Sequence, residues 1–167
     1  MNHTMFVLLI VGLAAAGLIV YGFFGKSKSD YKTKQLMSDN EREFFRRLVL
    51  ALPNHFVFPQ VGMSSILDAN IDEKNKRKHA SVRNTFSQKV VDYVICDQSL
   101  DVVAIVELDD KTHDPKKDKR RDEMLKQGGY KKECLIRFES KQKPTVEEIS
   151  KRVAAVMATR IIAKTEG

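Results

Sequence analysis

The sequence predicts an α/β domain behind one N-terminal membrane-spanning helix, and three observations carry that prediction. An uncharged apolar run fills Met5–Phe24. Two later runs, KVVDYVIC and AIVELDDKTH, have the short apolar character and punctuation of strands and lie close enough to form a hairpin. Segments of helical spacing, two of them opened by capping sequences, lie on either side. Of the 167 residues, about 130 remain once the apolar segment is set aside, enough for one domain with a real core.

Charge narrows the partners. Lysine and arginine total 29 against 22 aspartates and glutamates, a net charge of +7, and the pI is near 9.4. Such a surface favours polyanions, either nucleic acid or anionic lipid heads. Cys96 and Cys134 sit in apolar runs and read as small buried residues in a reducing compartment. No CxxC or Cys/His zinc spacing, glycine-rich phosphate loop or internal repeat is present, which argues against zinc modules, P-loop enzymes and solenoids.

Residues 1–25 are read as the anchor. Met5–Phe24 is about 20 residues long, the length of a bilayer-spanning helix, and Tyr21, Phe23 and Phe24 suit the interface at one end. A cleaved signal peptide is the alternative, but no Lys or Arg precedes the run. Lys26, Lys28, Lys32 and Lys34 follow it at once, so the positive-inside rule places the rest of the chain in the cytoplasm, held at the inner membrane. Residues 26–37 form a basic linker, 38–162 the folded domain and 163–167 a frayed tail.

Within the domain, Ser38 and Glu41 have the spacing of a capping box, and Phe44, Phe45, Leu48 and Leu52 recur at helical intervals. A helix is expected from about Asp39 to Leu50, ending before Pro53. Glu41 either caps this helix or reaches an acidic site. Phe56–Val61 is extended, and Pro59 marks it as an edge strand or strand end. Asp68–Lys89 carries Lys74, Lys76, Arg77, Lys78, His79 and Arg83, a loop or short helix of positive potential that is either solvated or phosphate-binding.

The acids come next. In the strand Lys89–Cys96, Asp92 shares a face with Val90 and Val94, and in the following strand Glu107 and Asp109 share a face with Ile105. A turn at Asp97–Leu100 makes the two strands a hairpin, so Asp92 faces a position between Ile105 and Glu107 and the three acids converge. Carboxylates ending a buried strand are costly unless paired. A hard divalent cation is the simplest partner; the alternative is a strand end whose acids face water.

Asp114–Pro115 starts a helix and Gly128–Gly129 stops it. Lys116, Lys117, Lys119, Arg120, Arg121 and Lys126 lie between. They form either a solvated helix held by pairs such as Asp122–Lys126, or a helix that leaves the acidic site and touches phosphates. Glu133–Phe138 is another strand, charged at Arg137. Thr145 and Glu148 fit a capping box before a last helix, whose Val146, Ile149, Val153, Val156 and Met157 form a core stripe.

The order helix, strand, strand with Asp92, strand with Glu107-x-Asp109, helix, strand, helix resembles the PD-(D/E)XK nuclease superfamily. VDYVICD, AIVELDDKTH and RRDEMLKQGGY with LIRF look more narrowly like an uncharacterised bacterial family of domains of unknown function, near the very-short-patch-repair endonuclease-like branch. The resemblance covers about Leu36 to Val153. It implies a restriction-endonuclease-like three-layer core with a mixed central sheet flanked by helices. It implies Asp92 and Glu107 as metal-binding acids, with Asp109, standing where the superfamily usually has lysine, as a third. His113 could take the part of the histidine that the very-short-patch-like branch uses. Lys111 is a lower-ranked substitute for the missing lysine, and Glu41 matches a helical glutamate that approaches the site.

The chemistry so implied is hydrolysis of phosphodiester bonds with Mg²⁺ or Mn²⁺. Lys116, Lys117, Arg120, Arg121 and Arg137 would position the backbone of nucleic acid, DNA ahead of RNA. The rival reading is a non-catalytic nucleic-acid-binding or assembly module that kept the fold, and a third gives the basic surface to the membrane alone.

Overall fold

The computed structural model describes residues 2–23, 30–72, 74–109 and 115–165; the side chains of 17–23, 115–118 and 160–165 lie outside that description. The chain divides into two compact units, Met1–Gln35 and Leu36–Gly167.

The first unit holds one helix, α1 (His3–Phe23). Here the expected transmembrane anchor, and with it the inner-membrane location, is corrected: among the described residues no helix is long and apolar enough to cross a membrane. The proposed interface aromatics Tyr21, Phe23 and Phe24, and Lys26 and Lys28 of the linker, lie outside the described side chains.

The second unit is a mixed α/β domain. It begins with α2 (Asp39–Ala51), whose capping box is complete: Ser38 Oγ accepts from the Glu41 N–H, and Glu41 Oε2 accepts from the Ser38 N–H. Then come β1 (Phe56–Gly62), α3 (Lys76–Asn84), β2 (Val90–Cys96), β3 (Val102–Asp109), α4 (Pro115–Gln127), β4 (Leu135–Glu139) and α5 (Val146–Thr165). The basic segment 76–84, open between loop and helix from its sequence, is helical, with Asn75 accepting from the Lys78 N–H as its cap.

The strands form one sheet in the order β1-β2-β3-β4. The first three are antiparallel neighbours, whereas β4 runs parallel to β3. That parallel step needs a crossover, and α4 provides it. Pro59 sits in β1 at the sheet edge, where a missing N–H is tolerated. The β2–β3 turn is closed by Asp97 Oδ1, which accepts from the N–H groups of Ser99 and Asp101.

Two apolar layers pack on the sheet. On one face Phe44 and Leu48 of α2 and Ile149 and Val153 of α5 meet Tyr93, Ile95, Ala104, Val106, Leu108, Ile136 and Phe138. Full burial of each such side chain contributes about 2 kcal/mol. On the other face Leu125 of α4, with Met63 and Phe86, covers Val91, Val94, Cys96 and Ile105. Helix, sheet, helix is therefore the layering of this unit. Helix α4 ends as the paired glycines require: Gly129 has φ +97°, and a Cβ on Gly128 would collide with Leu67 Cδ2.

Candidate active site

Sheet register brings the first two acids together. Tyr93 pairs with Val106 across β2 and β3, and one further step sets Asp92 opposite Glu107. Strand alternation points both toward the layer that α4 covers, because Ile105 and Val94 of the same faces pack there. Asp92 Oδ2 accepts from the Leu108 N–H at 2.8 Å, one step beyond the Tyr93–Val106 pair of the β2–β3 ladder.

Glu107 is only 5 % exposed. Its Oε2 lies 3.0 Å from the Arg121 guanidinium, which α4 brings down onto the sheet. Its Oε1 is buried and meets no hydrogen-bond partner among the described residues. Burial raises the Glu107 pKa to about 8; Arg121 works against that shift, and Asp92 adds to it. Near neutral pH the group is mostly a neutral acid. Burial raises the Asp92 pKa, and the Leu108 N–H, Arg121 and Glu107 work against that rise.

Asp109 is held elsewhere. Arg137, next to it on β4, donates to Asp109 at 2.9 Å and to Asp122 of α4 at 2.8 Å. Burial opposes the charge on Arg137, and the Asp122 and Asp109 contacts outweigh it, so its pKa is raised. Among the described residues no group of three or more His, Cys, Asp or Glu stands ready to hold a metal ion, and Asp109 of the expected set is paired with Arg137. Two acids remain, Asp92 and Glu107. Asp122 pairs with Arg137 rather than with Lys126.

Arg121 and Arg137, expected to touch phosphates, are both engaged by acids of the site. Arg120 and Lys119 are exposed on α4. His113 and Lys111 lie outside the described residues, and the side chains of Lys116 and Lys117 outside the described side chains.

Glu41 completes the cap of α2, and its charge adds to the rise of the Asp92 pKa that burial causes. The α2 terminus is held here by Tyr93, whose hydroxyl donates to the Glu41 carbonyl at 2.7 Å. Burial, and then Asp92 and Glu41, push that phenol up, so it stays a donor. Gln60, which no sequence pattern indicated, donates from Nε2 to Glu41 Oε1 at 3.0 Å. It lies across β1 from Asp92, between the pairs Pro59–Tyr93 and Val61–Val91, and has φ +52°. A left-handed non-glycine residue in a strand costs about 1–2 kcal/mol, a strain that gathers at functional sites.

Asp92 and Glu107 fit a metal. They offer hard oxygens from adjacent strands, and Glu107 Oε1 is a buried oxygen that no donor among the described residues satisfies. Mg²⁺ commonly takes one or two carboxylates and completes its shell with water and phosphate oxygens.

Residues 33–155 match the family described as a protein of unknown function (DUF2726). The match spans more than half of the chain, and the chain belongs to that family. No curated protein and no solved structure matches it.

Proposed function

We propose that this chain is a metal-dependent nuclease of the PD-(D/E)XK kind, hydrolysing phosphodiester bonds of nucleic acid, with DNA as the first substrate to test. One observation carries the reading: Asp92 and Glu107 face each other from adjacent strands, and the buried Oε1 of Glu107 has no donor among the described residues. These two residues would hold the Mg²⁺ or Mn²⁺, which when bound polarises the phosphate and acidifies a water.

The remaining work falls to the chain itself. The Leu108 N–H orients Asp92. Glu107, whose pKa burial raises to about 8, would have to be in its carboxylate form to hold the cation. Arg121 pairs with Glu107 and favours its carboxylate form, and Arg137 pairs with Asp109. We assign His113 to orienting or deprotonating the attacking water. A groove of about 660 Å³ between Thr85 and α4, lined by Lys119 and Arg120, offers the backbone a basic path beside the sheet face that bears the acids.

A second reading has its own support. Asp109 in place of lysine, and Arg121 seated on Glu107, favour a nucleic-acid-binding module without catalysis. The test is cleavage of labelled single- and double-stranded DNA and RNA with Mg²⁺ and with Mn²⁺, beside a gel-shift titration. Metal-dependent cutting of at least one substrate is expected. Binding without cutting by either metal would establish the second reading.

A further inference from the structure

A second cavity, of about 730 Å³, opens near the start of β3, where Val102 lines it. Glu107 lies five residues along the same strand, about 17 Å away at 3.3–3.4 Å per residue. The cavity is therefore separate from the acid pair, and its wall includes His79 and Arg83 of the basic segment read from the sequence as either solvated or phosphate-binding.

Three segments build its wall. The 3₁₀ turn Met63–Ser65 supplies the hydroxyls of Ser64 and Ser65. Helix α3 supplies His79, Ala80 and Arg83. Tyr130 closes another side, and its hydroxyl donates to the Ile66 carbonyl at 3.0 Å, which anchors the ring against the wall. His79 Nε2 lies 3.7 Å from Asp68 Oδ1. Arg83 has no side-chain partner among the described residues.

Each feature suggests part of a ligand. The guanidinium of Arg83 is a planar fork that matches a phosphate, and two serine hydroxyls are suitable further donors. Lys76, Arg77 and Lys78 are exposed on the same helix and add positive potential. A phosphate alone leaves most of the volume unused. The rest is walled by Leu67, Val102 and Tyr130, an apolar and aromatic surface suited to a planar base, and Asp68 can accept from a ribose hydroxyl or an amino group. The size falls within the roughly 300–1,000 Å³ of small-molecule sites.

We propose that this cavity binds one phosphorylated nucleotide, either free or as the phosphorylated end of a strand. The proposal does not depend on catalysis at Asp92 and Glu107. It is tested by calorimetry on the full-length chain with AMP, adenosine and inorganic phosphate. Oligonucleotides of one sequence are added with and without a 5′-phosphate. AMP should bind more tightly than adenosine or phosphate. Arg83→Ala, and Ala80→Trp placed to fill the cavity from an exposed helix position, should each weaken it at least about tenfold.

Glu107→Gln should leave AMP binding unchanged. An Arg83-dependent gain from the 5′-phosphate identifies a strand end, and AMP binding without that gain identifies a free nucleotide. The proposal is overturned by no AMP binding up to about 10 mM, by phosphate binding as tightly as AMP, or by equal AMP binding in wild type and both wall variants. AMP binding in a chain that cuts no nucleic acid would end the nuclease reading and leave this one standing.

Discussion

Glu107 stands between two opposing influences: burial favours its neutral form, and Arg121 favours its charge. Burial prevails, with the pKa raised from 4.5 to about 8. In the unfolded chain the same group ionises near its ordinary value. Between these two values the folded protein holds a proton that the unfolded chain has released, so stability falls as pH rises from about 5 to about 8. The integrated effect is a few kcal/mol by linkage. Chemical denaturation in the presence of a chelator should show this decline in wild type and a flatter profile in Glu107→Gln; parallel profiles would mean that Glu107 ionises normally. Arg137 gives a second prediction at this scale. Arg137→Ala leaves Asp109 and Asp122 without their shared partner and should cost about 2–4 kcal/mol, discounted for partial exposure. Arg120→Ala, at an exposed site, should stay within about 0.5 kcal/mol. Equal losses in the two variants would contradict the division of α4's surroundings into ion-paired and exposed arginines.

Each element formed where local chemistry was explicit, and the predictions follow that chemistry. Ser38→Ala removes the acceptor that closes the first turn of α2 and should cost about 1 kcal/mol, read from the denaturation midpoint. On α4, replacing Lys119 and Arg120 with alanine should weaken nucleic-acid binding and reduce the slope of log K against log salt by nearly two, about 0.9 for each lost phosphate contact. An unchanged slope would move the binding surface elsewhere. Capping boxes, the edge proline, the Asp97 turn and the glycine pair were legible because each acts over three or four residues. The buried role of Arg121 had only one local signal: it lies one turn before Leu125 and so shares that residue's buried face. The pairing of Arg137 with Asp109 was hidden, because it depends on the parallel register of β3 and β4. Gln60 gave no sign at all, since its left-handed backbone and its bond to Glu41 arise from how β1 meets α2. For α1, an apolar run in the sequence suggested a membrane span, but among the described residues no helix is long and apolar enough to cross a membrane.

Across the whole molecule, a three-layer α/β unit carries Asp92 and Glu107 on the sheet face covered by α4, with basic helices beside them. The hairpin that joins the two acids was readable from strand spacing; the arginines that hold the neighbouring carboxylates were not, because they come from elements distant in sequence. The central claim is that Asp92 and Glu107 serve the transition state through a metal, while the basic surface serves binding. The direct measurement compares, in one buffer with Mn²⁺, the single-turnover cleavage rate and the gel-shift affinity of wild type, Asp92→Asn and Glu107→Gln on labelled DNA. Cleavage should fall at least about a thousandfold in each variant, a loss of roughly 4 kcal/mol of transition-state stabilisation, while affinity stays within about twofold. Cleavage that survives in either variant, or that falls only in step with affinity, would contradict the account.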